Sequence, residues 1–258
     1  TWELVELPKD RKAVKCKWVF KKKSDGRYKA RLVAKGFSQQ QGIDYDETFA
    51  PVAKIKTVRV MIALAVELGL KIQHMDVVTA FLHGELKEEI YMEQPEGTIT
   101  EETNGLVCRL KKSLYGLKQS ARVWYETLDT FLVNYGFTNS LSDDCLYVLK
   151  RGDILVIVII YVDDLLIFTD SDDELKRLKG ELCNTFKMTD LGQLKNYLGI
   201  QVGYTDKGII LSQKEFIVNM LKEAGMSDCN PAPTPLSTGQ RFDEKNDGEE
   251  KKPTINVP

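Results

Sequence analysis

The sequence predicts an α+β fold in which helices pack on one face of an antiparallel β-sheet, with a basic β-hairpin in front of that sheet. Three observations lead to this prediction. The predicted elements follow one another in the order βαβ, α, ββ, α, which is typical of an α+β domain. Apolar residues alternate in the first segment and recur at helical spacing in later ones. The 258 residues are 43% hydrophobic, which is enough to bury the core of one large domain or two subdomains.

The first element is a β-hairpin over residues 14–36. Apolar side chains alternate there with mainly lysine, beginning with Val14, Cys16, Trp18 and Phe20. A turn at Ser24–Gly26 reverses the chain, and Tyr28–Ala34 returns as the second strand. One face of the hairpin is therefore apolar, and the other is mostly lysine and arginine.

The hairpin also carries a concentration of positive charge. Twelve basic residues and two acidic ones lie between Lys9 and Lys35, about +10, although the whole chain has a formal net charge of −2. A basic arm on an acidic body favours a polyanion held in one place. A solvated hairpin face is an equally good explanation of the charge alone.

Helices and strands of the body follow the hairpin. Helical spacing predicts two helices, at residues 53–69 and 120–136. Apolar runs predict four strands, at residues 70–77, 145–150, 154–162 and 165–169. Two capping boxes, "SDDE" and "SQKE", predict further helices that begin near Ser171 and Ser212. After Pro231 the chain is rich in proline and charge, and a loose tail is expected.

Several classes of protein are disfavoured by the composition. The apolar run Ile154–Val162 is far shorter than the ~20 residues that span a bilayer, so no membrane association is expected. The start of the chain lacks the basic-then-apolar layout of a signal peptide. The five cysteines are scattered and form no C-x-x-C pair, which predicts reduced intracellular thiols and no zinc site.

Two adjacent carboxylates, Asp163 and Asp164, interrupt the apolar run between two predicted strands. Their position predicts an exposed hairpin tip, at which both side chains lie outside the sheet. Carboxylates this close repel each other unless a cation neutralises them, and Mg²⁺ is the usual cation where phosphate also binds. For the pair alone, an ordinary Asp-Asp turn is the better explanation.

A third carboxylate, Asp76, ends the predicted strand at residues 70–77. If that strand lies beside the 154–169 hairpin, Asp76 faces Asp163. Three carboxylates on neighbouring strand ends can hold two Mg²⁺ ions, the arrangement used for in-line phosphoryl or nucleotidyl transfer.

Four motifs, in this order and spacing, resemble the reverse transcriptase of copia-type LTR retrotransposons. They are "YKARLVAKGFSQQQGIDYDETFAPV" (28–52), "HMDVVTAFLHGEL" (74–86), "SLYGLKQSARVWY" (113–125) and "YVDD" (161–164). "YVDD" alone is a weak signal, but the four motifs together are a strong one. The similarity to the family extends from about Trp2 to Leu236. The resemblance implies a right-hand polymerase with fingers and palm.

The same resemblance implies approximate boundaries within residues 1–236. Fingers would occupy residues 1–70 and 85–118, and the palm residues 71–84 and 119–205. The start of the thumb would lie at 206–230, and residues 237–258 would form the loose tail.

The resemblance also implies roles for individual residues. Asp76, Asp163 and Asp164 match the catalytic aspartates. Asp76 and Asp163 would bridge two Mg²⁺ ions, for which Mn²⁺ could substitute. Val77 would add its carbonyl oxygen, and Asp164 a supporting charge.

Phe81 matches the bulky residue under the sugar of the incoming nucleotide, where it would exclude a 2′-hydroxyl; from the residues alone it would be a core aromatic. The other residues implied to contact the dNTP are Lys29, Arg31, Lys35, Tyr115, Gly116, Lys118 and Gln119. For Lys118 and Gln119, ordinary polarity at a helix start is the alternative. Leu198 and Gly199 match the turn of the primer grip, and a simple β-hairpin explains them equally well.

The resemblance is incomplete in two places. Ser120-Ala121 stands where the family commonly has Ala-Pro. This change should lower the stability of the helix only slightly, because serine caps helices well. The chain stops at "PTINVP" without a visible RNase H carboxylate set or integrase or protease motifs, so a piece of a longer Pol polyprotein is expected.

The expected function is therefore an RNA-directed DNA polymerase that adds dNTP to a primer 3′-hydroxyl. Its partners would be an RNA or DNA template with primer, and the RNase H and integrase segments of the full protein. Its location would be a cytoplasmic virus-like particle or the nucleus. The alternative is a degenerate, non-catalytic relic that binds nucleic acid. A third interpretation, an RNA-templated RNA polymerase, is disfavoured by Phe81.

Overall fold

A computed structural model describes residues 1–22 and 26–233 of the chain. Two compact units are present, Thr1–Ser212 and Gln213–Pro258. The predicted hairpin turn at residues 24–25 and the predicted tail at 237–258 lie outside the described residues. Of the helices formed by the described part of the chain, none has the length and apolarity to cross a membrane.

The first unit contains three α-helices, α1 (Ile55–Glu67), α2 (Ser120–Tyr135) and α3 (Asp172–Thr185). Its first seven strands are β1 (Trp2–Val5), β2 (Cys16–Lys22), β3 (Tyr28–Ala34), β4 (Lys71–Val77), β5 (Tyr91–Met92), β6 (Val107–Leu110) and β7 (Thr138–Ser140). The other seven are β8 (Asp143–Arg151), β9 (Ile154–Tyr161), β10 (Asp164–Thr169), β11 (Met188–Gln193), β12 (Asn196–Tyr197), β13 (Ile200–Thr205) and β14 (Gly208–Ser212). Short 3₁₀ helices lie at Gly36–Ser38 and Ala80–His83. The second unit contains α4 (Lys214–Glu223).

A six-stranded antiparallel sheet, in the order β11-β4-β10-β9-β8-β7, forms the centre of the first unit. Helices α2 and α3 contact the same face of this sheet. Tyr147 of β8 donates a hydrogen bond to Asp129 of α2 at 2.6 Å, and Lys179 of α3 donates to Gln73 of β4 at 2.9 Å. Tyr147 and Gln73 belong to one cross-strand row, so their side chains point the same way.

The opposite face of the sheet is covered in part by β12. His74 of β4 lies in the neighbouring cross-strand row, and its ring centroid is 5.9 Å from that of Tyr197 in β12. Tyr161, at the end of β9, has its ring centroid 6.3 Å from the same tyrosine. Strands β12, β13 and β14 form their own small antiparallel sheet.

A second, smaller hydrophobic cluster joins the basic hairpin to the sheet β1-β6-β5. Its buried residues are Val14, Ala34, Ile90, Met92, Cys108, Leu110, Leu114 and Leu117. The hairpin itself is largely exposed on its apolar side, where the Phe20 side chain is 74% exposed and the Tyr28 side chain 82%. Only the base of the hairpin is therefore fixed by apolar packing. The buried residues of α1 belong instead to the larger cluster around the central sheet.

The predicted α+β class and the predicted antiparallel central sheet are both confirmed. The capping box at Ser171 is also confirmed, because its hydroxyl accepts a hydrogen bond from the Glu174 N–H at 3.3 Å. The helix predicted to begin near Ser212 is present as α4, but its N-cap is Gln213, which makes no side-chain cap bond, and Ser212 is the last residue of β14. A 3₁₀ helix at Ala80–His83 follows β4.

Helix α1 receives its N-terminal cap from a residue far away in the chain. The Asp143 carboxylate, at the start of β8, accepts hydrogen bonds from the Lys54 N–H at 3.1 Å and the Thr57 hydroxyl at 2.6 Å. Burial raises the pKa of Asp143, but these bonds and one from the Cys145 N–H outweigh burial and hold the pKa below its ordinary value. The cap thus ties α1 to the edge of the sheet.

We expect Asp143→Ala to lower the free energy of unfolding at pH 7 by about 1–3 kcal/mol, because helix donors lose a buried acceptor. Because the folded-state pKa is depressed, this stabilisation is present above the ordinary value of 3.8 and disappears as the pH falls through the folded-state value. Urea unfolding at pH 7 and at acidic pH measures both effects.

The matched control is Asp144→Ala, since Asp144 is exposed and offers only its backbone carbonyl to Tyr125 and Asn139. Its effect should stay within about 0.5 kcal/mol. Equal losses in the two variants would contradict a capping role for Asp143.

Candidate active site

The three predicted carboxylates lie together at one end of the central sheet. Asp164, the first residue of β10, is the cross-strand partner of Asp76 in β4 and of Tyr161 in β9. Asp163 occupies the β9–β10 turn and is exposed, whereas Asp76 and Asp164 are half-buried. The prediction that both aspartates lie outside the sheet was therefore wrong for Asp164, which takes part in strand pairing on both sides. Alternation places Asp76 and Asp164 on the face that α2 and α3 leave uncovered.

The β9–β10 turn is held by hydrogen bonds to both of its carbonyl groups. The Asp163 carbonyl accepts from the Val77 N–H at 2.8 Å, and the Val162 carbonyl accepts from the Trp124 indole N–H at 2.7 Å. Val162 has a φ of 55°, in the left-handed region that a β-branched residue rarely adopts. The sequence did not indicate Trp124 as part of the site, because its spacing on α2 predicts only a core residue.

The carboxylates interact with one another electrostatically. Burial raises the pKa of Asp76, and the negative charges of Asp163 and Asp164 raise it further. His74 and Lys29 act in the opposite direction and lower the pKa of Asp76. The site therefore concentrates negative charge that a cation would relieve.

His74 is a member of the site that the sequence-based prediction missed. Its Nε2 lies 2.7 Å from an Oδ1 of Asp164, and the histidine is buried. The Tyr197 ring packs edge-on against it, and the Tyr197 hydroxyl has no hydrogen-bond partner among the described residues. His74 precedes Asp76 by two residues in β4. Because alternate residues of a strand lie on the same face, the sequence could have indicated that His74 lies beside Asp76.

The donor set suits a hard divalent cation in kind, since all three side chains are carboxylates and their charges repel. Within residues 1–22 and 26–233, however, no group of three or more His, Cys, Asp or Glu side chains is arranged to hold a metal ion. Asp164 is engaged with His74, so Asp76 and Asp163 are the carboxylates better placed to serve as ligands. The position of the Val77 carbonyl as a further ligand stays a prediction.

The predicted triphosphate-binding cations are only partly brought together. Lys29 and Arg31 share one face of β3, and Lys21 of β2 lies directly opposite Lys29. Lys35 follows the end of β3. Burial raises the pKa of the Cys16 thiol, and the positive charge of Lys35 offsets part of this increase. Because strands rise about 3.3 Å per residue, the Cα atoms of Lys29 and Lys35 are roughly 20 Å apart, whereas Lys29 and Arg31 lie side by side. Joint binding of a triphosphate by the three residues stays a prediction.

Phe81 and Tyr115, both predicted to contact the nucleotide, lie against each other. Their ring centroids are 5.6 Å apart, with Phe81 half-buried in the 3₁₀ helix and Tyr115 53% exposed. Gly116 has a φ of 96°, and a Cβ there would clash with the Ala34 carbonyl oxygen. The close approach that requires glycine is therefore to β3. Contact of Gly116 with the nucleotide stays a prediction.

Lys118 and Gln119 both bond to other residues of the protein, Lys118 at the surface and Gln119 in the interior. The Gln119 amide donates to the Asp44 carbonyl at 2.8 Å and accepts from the Gln39 amide at 3.0 Å, and Gln119 is buried. The Lys118 ammonium donates to the Tyr45 hydroxyl at 2.9 Å. These contacts indicate that both residues help to order the 39–45 segment. The geometry does not favour direct contact between Gln119 and the nucleotide.

Leu198 and Gly199 form the two-residue turn between β12 and β13, as expected for a hairpin. Both have positive φ, 50° and 77°, the combination that tight hairpin turns favour. The preceding residue, Tyr197, contacts His74, so this hairpin is connected to the carboxylate cluster.

Comparison with known proteins identifies relatives of the chain. A family model described as "Reverse transcriptase (RNA-dependent DNA polymerase)" matches residues 1–238. The chain is 44% identical over 253 residues to the Retrovirus-related Pol polyprotein from transposon TNT 1-94 of Nicotiana tabacum, covering 95% of this chain and 19% of that protein. It is 41% identical over 248 residues to the Retrovirus-related Pol polyprotein from transposon RE2 of Arabidopsis thaliana, covering 94% and 17%.

The chain thus spans less than a fifth of the length of these two relatives. Among solved structures, a telomerase from Candida albicans superposes with a TM-score of 0.43 at 12% identity, over 86% of this chain and 53% of that one. A likeness at this level adds nothing to what the sequence relatives establish.

We expect Asp76→Asn to raise the melting temperature in metal-free buffer at pH 7, because it removes a half-buried charge that Asp163 and Asp164 repel. Millimolar Mg²⁺ should raise the melting temperature of the wild type and have a smaller effect on the variant. Differential scanning calorimetry with and without Mg²⁺ makes the comparison.

Asp153→Asn, in the exposed β8–β9 turn, is the matched control and should behave as the wild type does. A lower melting temperature for Asp76→Asn, or an equal Mg²⁺ response in all three proteins, would be inconsistent with mutual repulsion at this site.

Proposed function

The chain belongs to the reverse transcriptase (RNA-dependent DNA polymerase) family, and we propose that it transfers nucleotides from dNTP to the 3′-hydroxyl of a primer. The observation that carries this proposal is the position of Asp76, Asp163 and Asp164. They come from two segments far apart in the sequence and meet at one end of the central sheet. Carboxylates this close together can hold the divalent cations that assist the attack of a hydroxyl on a polyanionic substrate.

Each carboxylate has a distinct role in the proposal. Asp76 and Asp163 would hold the divalent cations, while Asp164, bonded to His74, would supply a fixed negative charge behind them. Two bound Mg²⁺ ions, or Mn²⁺ in their place, would activate the primer hydroxyl and stabilise the leaving pyrophosphate. Because the three carboxylates repel one another, cation binding also relieves this repulsion within the protein.

The incoming nucleotide would lie between the carboxylates and the hairpin strand β3. Lys29 is close enough to lower the pKa of Asp76, and Arg31 extends the same basic face of the strand. Several cations on one face suit a triphosphate. Phe81, packed against Tyr115, would lie under the sugar and leave no room for a 2′-hydroxyl.

Template and primer would bind along surfaces on either side of this site. The basic face of β2 and β3 is suited to the phosphate backbone of an RNA or DNA template, with salt-dependent affinity. The turn at Leu198–Gly199 would support the primer. The proposed arrangement is the fingers and palm of a right-hand polymerase, which acts within a Pol polyprotein beside its RNase H and integrase segments.

Primer extension on poly(rA)–oligo(dT) with Mg²⁺ tests the proposed reaction. The wild-type chain should incorporate dTTP, and Asp163→Asn should be slower by about 1,000-fold or more, because a metal ligand contributes several kcal/mol to transition-state stabilisation. Circular dichroism of both proteins controls for folding.

A folded wild-type chain that binds the duplex without extending it would favour the alternative function, a non-catalytic nucleic-acid-binding relic.

Sugar selection gives a separate prediction. Phe81→Ala should raise rNTP incorporation relative to dNTP by about tenfold or more, because the smaller side chain admits the 2′-hydroxyl. Phe81→Tyr keeps the ring and should keep the preference for dNTP. An unchanged preference in Phe81→Ala would show that another residue selects the sugar.

A further inference from the structure

The backbone of the β9–β10 turn adopts an unfavourable conformation at one residue. Val162 has a φ of 55°, in the left-handed region that is unfavourable for a branched side chain. Glycine or asparagine is the usual residue in such a turn. Asp163, the exposed carboxylate of the candidate site, follows directly. The conformation must therefore be maintained by contacts from outside the turn.

Trp124 provides such a contact from the opposite side of the sheet. Its indole N–H donates to the Val162 carbonyl at 2.7 Å, which is a short hydrogen bond for this donor. The indole nitrogen is a donor only, and Trp124 is 1% exposed, so loss of this bond would leave a buried N–H without its acceptor.

The indole ring has little freedom to move away from the turn. Phe186 packs edge-on against it with ring centroids 5.3 Å apart, and His83 lies on it at 5.9 Å. The neighbouring residue of the turn is fixed from a different element, since the Asp163 carbonyl accepts from the Val77 N–H. The two turn residues are thus anchored to α2 and β4 respectively.

We propose that Trp124 is a positioning residue for Asp163: its indole N–H holds the strained Val162 peptide, and so fixes where the Asp163 carboxylate points. This inference rests on the proposed function, in which Asp163 is a cation ligand. A purely structural role for Trp124 as a core side chain would affect stability but would leave cation binding unchanged.

Trp124→Phe separates these two roles, because it keeps an aromatic ring and removes the donor. Leu128→Val is the matched control, since Leu128 lies one helical turn further along α2, is fully buried and has no hydrogen-bond donor in its side chain. Mn²⁺ binding to the full chain is measured by electron paramagnetic resonance, and stability by calorimetry. Trp124→Phe should bind Mn²⁺ about tenfold more weakly than the wild type, while Leu128→Val should lower stability with unchanged Mn²⁺ binding.

A second substitution tests whether backbone strain at Val162 is the reason why the Trp124 hydrogen bond is needed. In Val162→Gly the left-handed conformation is favourable without help. The loss of Mn²⁺ affinity caused by Trp124→Phe should therefore shrink to about threefold or less when Val162→Gly is also present, a coupling that a double-mutant cycle measures. In primer extension, Trp124→Phe should lower kcat with little change in KM for dTTP.

The outcomes distinguish this inference from the proposed function. Wild-type Mn²⁺ binding that Asp163→Asn abolishes but Trp124→Phe leaves intact would overturn the positioning role alone. An equal Trp124→Phe effect with and without the Val162→Gly substitution would overturn the strain explanation. A wild-type chain without any Asp163-dependent Mn²⁺ binding would overturn the proposed function, and this inference with it.

Discussion

The pairing register between β4 and β10 is the constraint on which the candidate site depends. With Asp164 opposite Asp76, the row formed by Met75 and Leu165 points into the helix-covered core, and the carboxylates point away from it. A slip of one residue would reverse every side chain on β10 and bury a carboxylate beneath α2 and α3. Burial of the apolar row therefore selects the register, and the register brings the carboxylates together. The site is in this sense a consequence of core packing.

The site also brings together groups whose charges repel. Three carboxylates share one end of the sheet, while Lys21 and Lys29 lie directly opposite each other on the hairpin. Like charges across a strand pair repel each other, so the carboxylates raise the free energy of one another and so do the two lysines. A divalent cation and a triphosphate would neutralise both clusters at once. This complementarity explains why a protein would retain such unfavourable arrangements in a well-packed fold.

Sequence patterns predicted the long elements and the acidic site, because α2 has apolar residues at helical spacing and β9 is a continuous apolar run. They missed the sheet β1-β6-β5, whose strands are short and in which β1 and β6 pair across about a hundred residues of sequence. They placed Asp164 outside the sheet, since a local reading cannot show that β4 pairs with β10 at that residue. Local patterns also missed the contacts of Trp124 with Val162 and of Gly116 with Ala34, because these residues are far apart in the sequence.

Anomalous diffraction from crystals of the chain grown with Mn²⁺ tests the central claim most directly. If the carboxylates form a cation site, an anomalous peak should lie within about 2.5 Å of side-chain oxygens of both Asp76 and Asp163. A fully occupied Mn²⁺ peak elsewhere, with the Asp76 side chain turned away from the β9–β10 turn, would contradict the account.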